Sequence, residues 1–145
     1  MKLNEYLEGI EPVDQSAMEA AEKYRDTRTH PIGSLGKLEE MTIRLAGIQG
    51  RKIPSLSKKT TIVMCSDNGV VAEDISSSPQ EFTQMLANAM ARGETGVAAL
   101  SRHVGADLRI VDMGMPKTIE REEEIIDCAI REGSGNIAVE NGMTR

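Results

Sequence analysis

The sequence has little aromatic character: tryptophan is absent, and the aromatic side chains are Tyr6, Tyr24 and Phe82. Proteins that bind single-stranded nucleic acid usually present several aromatic rings on which bases stack. The 17 basic and 23 acidic residues leave a net charge of −6, and no cluster of lysine or arginine stands out. We therefore expect no nucleic-acid partner, and a core of aliphatic and methionine side chains.

Long apolar runs are also missing. No stretch approaches the roughly 18 apolar residues that a membrane span requires. The first residues, MKLNEYLEGIEP, lack the apolar core and the small-residue cleavage site of a signal peptide. The sequence therefore predicts no membrane partner and a cytoplasmic location.

The few cysteines and histidines predict no metal site, and we expect no cofactor. Cys65 and Cys128 lie far apart and match no zinc or redox spacing, and His30 and His103 form no ligand pair. Cys65 lies near the end of a predicted strand, where it is either a nucleophile or a small apolar core residue; we favour the second interpretation.

Residues 1–57 are expected to form an N-terminal helical segment, part of a small domain. Residues 13–27 have the composition of a helix. A second helix is predicted to begin at the N-cap Ser34 and to end at Gly50. Its apolar residues recur at helical spacing, at Leu35, Leu38, Met41, Leu45 and Ile48.

Residues 58–145 alternate strand and helix patterns, which predicts an α/β fold: the first part of a Rossmann-like parallel sheet with covering helices. The run TTIVMC suits a strand covered on both faces. Ser78 to Glu81 form a predicted capping box, and Thr95 is expected to cap a second helix. Strand 107–113, a solvated loop over 115–124 and a short strand or edge at 125–130 follow. The helix after Ser78 carries an apolar stripe of Phe82, Met85, Leu86, Ala89 and Met90.

Six motifs then occur in a fixed order: HPIGSLGKLE, CSDNGV, SSP, RGETGVAAL, DLRIVDMG and GSGNIAVENGMTR. In this order they resemble the nicotinate-nucleotide–dimethylbenzimidazole phosphoribosyltransferase family of cobalamin biosynthesis. The resemblance covers nearly the whole chain but only the front two-fifths or so of the family's usual length. Because two or three strands make a thin sheet, we expect this chain to be an N-terminal part.

The resemblance implies a cytoplasmic homodimer that acts on small-molecule substrates. A ring nitrogen of dimethylbenzimidazole attacks the anomeric carbon of nicotinate mononucleotide, nicotinate leaves, and α-ribazole phosphate forms. The attacking azole needs a proton acceptor, which in the family is a glutamate near the C-terminus, expected beyond Arg145. We therefore expect no catalytic residue within this chain, and an isolated chain without activity.

The resemblance also implies the substrate-binding residues. Ser78 matches a serine that lines the benzimidazole pocket, although a helix cap is its ordinary structural role. Leu86 stands where many relatives have glutamine, so base specificity is open to related benzimidazoles or phenols, although Leu86 is equally well a plain core residue. Gln84 does not substitute, because it points ~200° away round the helix. The remaining candidates are the corner Asp67, Asn68 and Gly69, which either contacts ligand or shapes the loop. The glycine-bearing segment with Gly135 and Asn136 either presents N–H groups to a phosphate or ribose or is a simple turn, which the residues alone favour.

Three hypotheses follow from these patterns. The chain is the N-terminal part of such an enzyme, or one half of a split enzyme, or a non-catalytic azole-binding module that kept the pocket and lost the chemistry. The coding sequence that follows Arg145 would separate them.

Overall fold

The computed structural model describes residues 3–143, and the chain divides into two compact units, Met1–Ser57 and Lys58–Arg145. The first unit contains three helices, α1 (Leu3–Glu8), α2 (Gln15–Asp26) and α3 (Lys37–Gln49). Across residues 3–143, no helix has both the length and the apolar character to span a membrane.

Small residues let α2 and α3 pack closely. Ala17, Ala21, Ala46 and Gly47 are all buried. A Cβ added at Gly47 would lie 2.6 Å from the Cγ atom of Met18, so the glycine is needed for this approach. The α3 helix ends as predicted at Gly50, whose positive φ of 60° gives the left-handed cap.

The predicted N-cap Ser34 is wrong, because α3 begins beyond it. Gly36 precedes the helix with φ 54° and ψ −126°, a backbone conformation that side-chain-bearing residues rarely adopt. The side chain of Glu39, from inside the helix, accepts the backbone N–H groups of Gly33 at 3.2 Å and Leu35 at 3.0 Å. A buried carboxylate therefore holds the segment before the helix, and the N-cap Gly36 makes no side-chain cap bond.

The second unit contains a parallel sheet of three strands in the order β1-β2-β3, which confirms the predicted α/β class. Strand β1 pairs with β2 from Thr60↔Asp107 to Cys65↔Asp112, so both strands end at the same edge. The elements are β1 (Thr60–Cys65), a 3₁₀ turn (Gly69–Glu73), α4 (Glu81–Ala91), α5 (Gly96–His103), β2 (Asp107–Asp112) and β3 (Ile126–Asp127).

One face of this sheet is covered by α4 and α5. The core beneath them consists of Cys65, Ala87, Ile110, Met115 and Ile125. On the opposite face Ile62 and Met64 are 57% and 68% exposed, so the expectation that β1 is covered on both faces is wrong for the described residues.

The predicted capping box at Ser78 does not form. Helix α4 begins at Glu81, and its N-cap is Gln80, which makes no side-chain cap bond. The Ser78 hydroxyl forms no hydrogen bond within residues 3–143, while the Ser78 N–H donates to the hydroxyl of Ser76 at 3.2 Å. Ser78 therefore does not serve as a helix cap.

Helix α4 buries a polar face. The amide oxygen of Gln84 accepts two successive backbone N–H groups of residues 118–119 at 3.1 and 3.2 Å, and its nitrogen donates to a carbonyl there at 2.7 Å. Asn88 binds the next part of the same loop, with bonds of 2.8 and 3.2 Å to the backbone of residues 120–122. The loop predicted as solvated is therefore anchored by buried side chains.

The apolar stripe of α4 lies on the other side of the helix. Residues two positions apart differ by about 200° round a helix, so Leu86 points away from the face that buries Gln84. Phe82, Met85 and Leu86 accordingly remain 42%, 52% and 39% exposed. Met90 still packs against the core, whereas these three side chains face away from it and can line a ligand cavity.

Removing the Gln84 amide should destabilise the protein. We expect Gln84→Ala to lower the free energy of unfolding by about 2–3 kcal/mol, because buried backbone groups of the loop lose their partners. Gln80→Ala is the matched control, since the Gln80 side chain makes no cap bond, and should stay within about 0.5 kcal/mol of wild type. Urea unfolding measures both values, and equal losses would contradict this role of Gln84.

Candidate functional site

A cavity of about 440 Å³ opens at the carboxyl end of β1. Open α/β sheets bind ligands at this edge, where the strands end in loops. The end of β1, the 3₁₀ turn and the first turns of α4 contribute its walls. Of the seven predicted site residues, the cavity brings together Asp67, Asn68, Ser78 and Leu86.

The cavity walls combine apolar side chains with polar ones from the corner after β1 and the start of α4. Leu86 is joined by Phe82 and Met90 from the same helix, and by Val70 and Val71 from the 3₁₀ turn. The hydroxyl of Ser78 has no hydrogen-bond partner in the described part of the chain, so it is available to a ligand. A flat apolar ring with one polar atom suits such walls.

Gly69, Gly135 and Asn136 lie behind the corner rather than among the residues that line the cavity. A Cβ added at Gly69 would stand 2.5 Å from the carbonyl oxygen of Ser134 and 2.8 Å from the nitrogen of Asn136. The Gly69 N–H also donates to the Ser134 hydroxyl at 3.3 Å. Glycine at position 69 thus permits a close backbone approach that supports the corner.

The groups of the 133–142 segment are used within the protein. The Gly135 N–H donates to the carbonyl of Gly142 at 2.7 Å. The Asn136 amide donates to the carboxylate of Glu73 at 2.6 Å and accepts from the Ala138 N–H at 3.0 Å. Of the motif that ends this segment, Thr144 and Arg145 lie outside the described residues.

Asp67 is buried at the cavity wall with one oxygen unpaired. Its Oδ1 accepts the hydroxyl of Thr83 at 2.8 Å, whereas Oδ2 is buried and has no hydrogen-bond partner among the described residues. Burial raises the pKa of this carboxyl, and Asp112 and Glu81 raise it further, although the bond from Thr83 acts in the opposite direction. Asp67 is therefore easier to protonate than an exposed aspartate.

Asp112, at the end of the neighbouring strand, has the opposite environment. Its Oδ1 accepts the N–H groups of Gly114 and Met115, both at 2.8 Å. Its Oδ2 lies 3.1 Å from the guanidinium of Arg121. A cation and two N–H groups thus compensate the Asp112 charge, while the Asp67 carboxyl receives a single hydroxyl.

Cys65 lines the cavity but behaves as a core residue. It is 7% exposed and packs with Ala87 and Ile110. Burial raises the pKa of the Cys65 thiol, and the nearby carboxyls of Asp112 and Asp67 raise it further. A thiol held protonated is a poor nucleophile, which favours the core interpretation. Residues 3–143 contain no group of three His, Cys, Asp or Glu side chains placed to hold a metal ion.

Sequence reasoning missed Thr83, Phe82 and Met90 as wall residues. Positions 82, 83, 86 and 90 lie on the side of α4 that carries Leu86. The sequence does not show which side of α4 is buried, because the partners of that side lie at residues 118–122. The buried amides of Gln84 and Asn88 determine that side.

Gly69→Ala should strain the corner. The added methyl meets backbone atoms rather than a flexible side chain, so we expect a loss of about 1–3 kcal/mol in unfolding free energy. Gly96→Ala is the control, because nothing lies within 4 Å of a Cβ at that helical position. Urea denaturation of both variants tests the contact. An alanine at 69 that is tolerated as well as one at 96 would contradict it.

The stability of the unit should depend on pH through Asp67. Its folded-state pKa lies above the ordinary value of 3.8, so the folded state holds this proton more tightly than the unfolded state. The stabilisation that the protonated Asp67 carboxyl gives the folded state is therefore fully present below about pH 3.8. It is lost as pH rises through the raised pKa of the folded state. Asp67→Asn should remove this loss, so the stability of the variant relative to wild type should increase with pH.

Unfolding free energies measured over a pH series test this dependence, with the exposed Asp107→Asn as control. The relative stability of the Asp107 variant should show no comparable trend. A difference in unfolding free energy between Asp67→Asn and wild type that does not change with pH would refute the burial argument.

The family model described as "Phosphoribosyltransferase" matches residues 10–145. Two relatives are named nicotinate-nucleotide–dimethylbenzimidazole phosphoribosyltransferase. The protein from Clostridium tetani is 40% identical over 99% of this chain and 39% of its own length. The protein from Escherichia coli K12 is 41% identical over 99% of this chain and 40% of its own length. A crystal structure with that name from Thermus thermophilus has a TM-score of 0.79 and 30% identity, over 90% of this chain and 40% of that one.

These similarities confirm both the resemblance and the α/β fold predicted from the motifs. The chain spans 39% to 41% of the length of the curated relatives it matches. The match over residues 10–145 shows that the chain belongs to this phosphoribosyltransferase family, a family of enzymes that transfer a phosphoribosyl group.

Proposed function

We propose that this chain forms the acceptor-base pocket of an enzyme of cobalamin biosynthesis. The enzyme would transfer phosphoribose from nicotinate mononucleotide to dimethylbenzimidazole or a related base, giving α-ribazole phosphate and nicotinate. The names of its relatives support the reaction class. The observation that carries the proposal is the cavity at the end of β1, with its apolar side chains and the Ser78 hydroxyl, which has no hydrogen-bond partner among residues 3–143.

The charges of the cavity favour the base over the phosphoribosyl donor as its occupant. Among the residues that line it, the ionisable carboxyl belongs to Asp67, and neither lysine nor arginine is present. A phosphate would need cationic side chains or free backbone N–H groups. An uncharged aromatic base needs apolar walls and one or two polar contacts, which Phe82, Leu86 and Ser78 offer.

The predicted site residues receive distinct proposed roles. Ser78 contacts a polar atom of the base, and Leu86 contacts its ring, which leaves the pocket open to related benzimidazoles and phenols. Asp67 and Asn68 shape the wall at the end of β1. Gly69, with the segment that contains Gly135 and Asn136, supports this wall from behind, since those backbone groups already bond within the protein.

We further propose that the proton acceptor does not come from this cavity. The departing pyridinium is already cationic and needs no general acid, whereas the attacking azole becomes cationic unless its second nitrogen loses a proton. A carboxylate there would contribute roughly 10²–10⁴-fold. Asp67 is unsuited to the role, because Thr83 occupies Oδ1 and Oδ2 is inaccessible. The family's glutamate, outside this chain, is the proposed base.

The quaternary structure and cellular location are proposals of the same kind. We propose that the whole enzyme is a homodimer in the cytoplasm, as the resemblance implies.

The purified chain should bind the base without transferring phosphoribose. We expect calorimetric binding of dimethylbenzimidazole and no α-ribazole phosphate in a single-turnover assay with nicotinate mononucleotide, because the proton acceptor is missing. Ser78→Ala should weaken binding about fivefold, the loss of one hydrogen bond. Ser77→Ala, an exposed serine outside the cavity, is the matched control.

Product formation by the chain alone would contradict the missing-base proposal. Absence of base binding, or equal effects of the two serine substitutions, would contradict the pocket assignment. Base binding without turnover is also the behaviour of an azole-binding module. To separate the enzyme from the binding module, the missing glutamate-bearing segment of a relative is added and the mixture is analysed for product by chromatography. Turnover supports the enzyme.

A further inference from the structure

A second cavity lies within the N-terminal unit, and the proposed reaction does not use it. Its volume is about 310 Å³, at the small end of the range for ligand sites. The walls are largely apolar, with side chains from α3 and from the segments on either side of it: Leu35, Leu38, Ile43, Ile53 and Pro54. Basic and aromatic side chains complete the lining, so the cavity combines an apolar interior with cationic groups.

The negative charge in this cavity is already compensated. Glu39 is 5% exposed and is the carboxylate among the lining residues. Its oxygens accept the backbone N–H groups of Gly33 and Leu35, and Arg25 lies 3.4 Å away. The side chain of Glu39 therefore has little capacity left to neutralise further cations.

Two positive charges in the cavity have no such compensation. The guanidinium carbon of Arg28 lies 5.4 Å from the centre of the Tyr24 ring, and the Lys52 ammonium lies 5.0 Å from it. Within residues 3–143, neither cation has a carboxylate oxygen within 4.0 Å. Both cations line this cavity, so an anion placed inside it is attracted by each of them.

We propose that this cavity binds a small organic anion, a carboxylate or phosphate carried on a flat apolar body. The anionic oxygens would pair with Arg28 and Lys52, and the body would pack against Leu38 and Ile53. Arginine suits this role because its planar guanidinium binds carboxylate and phosphate through two parallel hydrogen bonds. An apolar body is required because a bare anion would leave the larger part of the cavity unfilled.

This proposal is independent of the phosphoribosyl-transfer proposal. The cavity is formed within residues 21–54, in a different unit from the cavity at the end of β1. Its occupant is an anion, whereas the cavity at the end of β1 is proposed to take an uncharged base. Failure of one binding experiment therefore leaves the other unaffected.

Calorimetric titration of the full chain with four probes tests the proposal. Benzoate and phenyl phosphate carry the acid on an aromatic ring, benzyl alcohol is the uncharged counterpart, and inorganic phosphate lacks the ring. We expect at least one of the two aromatic acids to bind at least about tenfold more tightly than benzyl alcohol and than inorganic phosphate. The preferred acid shows whether the site takes carboxylates or phosphates. Binding should weaken as salt increases, because exposed charges are screened.

Substitutions locate the site. Lys52→Met and Arg28→Met should each weaken binding about fivefold, since each removes one ion pair and keeps the apolar stem. Arg51→Met is the matched control: Arg51 is an exposed neighbour outside the cavity, and its loss should leave affinity unchanged. Far-ultraviolet circular dichroism confirms that each variant is folded before titration.

Three results would overturn the proposal. Benzyl alcohol that binds as tightly as the aromatic acids would show an apolar slot without anion recognition. An equal effect of the Arg51 substitution would show non-specific attraction to surface charge. Absence of binding by both acids at millimolar concentration would show that the cavity is no site for such anions.

Discussion

The hydrogen bonds from Gln84 and Asn88 to the backbone of residues 118–122 orient the whole candidate site. Polar side chains seldom face a protein core, and here they do so because a loop of the same unit supplies partners for each amide. Because the face with Gln84 and Asn88 packs against this loop, the apolar stripe of α4 lies on the opposite side of the helix. Phe82, Leu86 and Met90 then become walls of the cavity at the end of β1. The chemistry of the pocket is thus a consequence of which face of one helix is buried.

Two adjacent strand ends show how differently the protein treats buried carboxyls. Asp112 is surrounded by N–H groups and Arg121, so its charge is stabilised and it anchors the turn after β2. Asp67, at the end of β1, keeps an unpaired oxygen beside the cavity, and burial raises its pKa. The register that pairs Cys65 with Asp112 brings the two groups close enough for Asp112 to oppose ionisation of Asp67. The cavity wall therefore accommodates an uncharged ring better than an anion.

Local patterns in the sequence were sufficient to predict the elements but not the contacts between them. The alternation of TTIVMC and DLRIVD with helical segments predicted a parallel sheet, and Gly50 and Thr95 marked helix ends correctly. The caps Ser34 and Ser78 were wrong because the helices begin later, after Gly36 and Gln80. The buried face of α4 could not be deduced, since its partners are backbone groups some thirty residues further along the chain. The motifs predicted Asp67, Asn68, Ser78 and Leu86 as site residues, and all four line the cavity, whereas the position of Thr83 on its wall required the three-dimensional arrangement.

The most direct test of the account is amide chemical-shift mapping of the ¹⁵N-labelled chain during titration with dimethylbenzimidazole. We expect the largest shifts to cluster at the cavity, on the amides of Asn68, Ser78, Thr83 and Leu86. The amide of Gln84, which lies on the buried face of α4, and the amides of the N-terminal unit should shift little. Shifts that cluster instead on the exposed sheet face at Thr60 and Ile62, or around Tyr24 and Lys52, would contradict the assignment of the base to the end of β1.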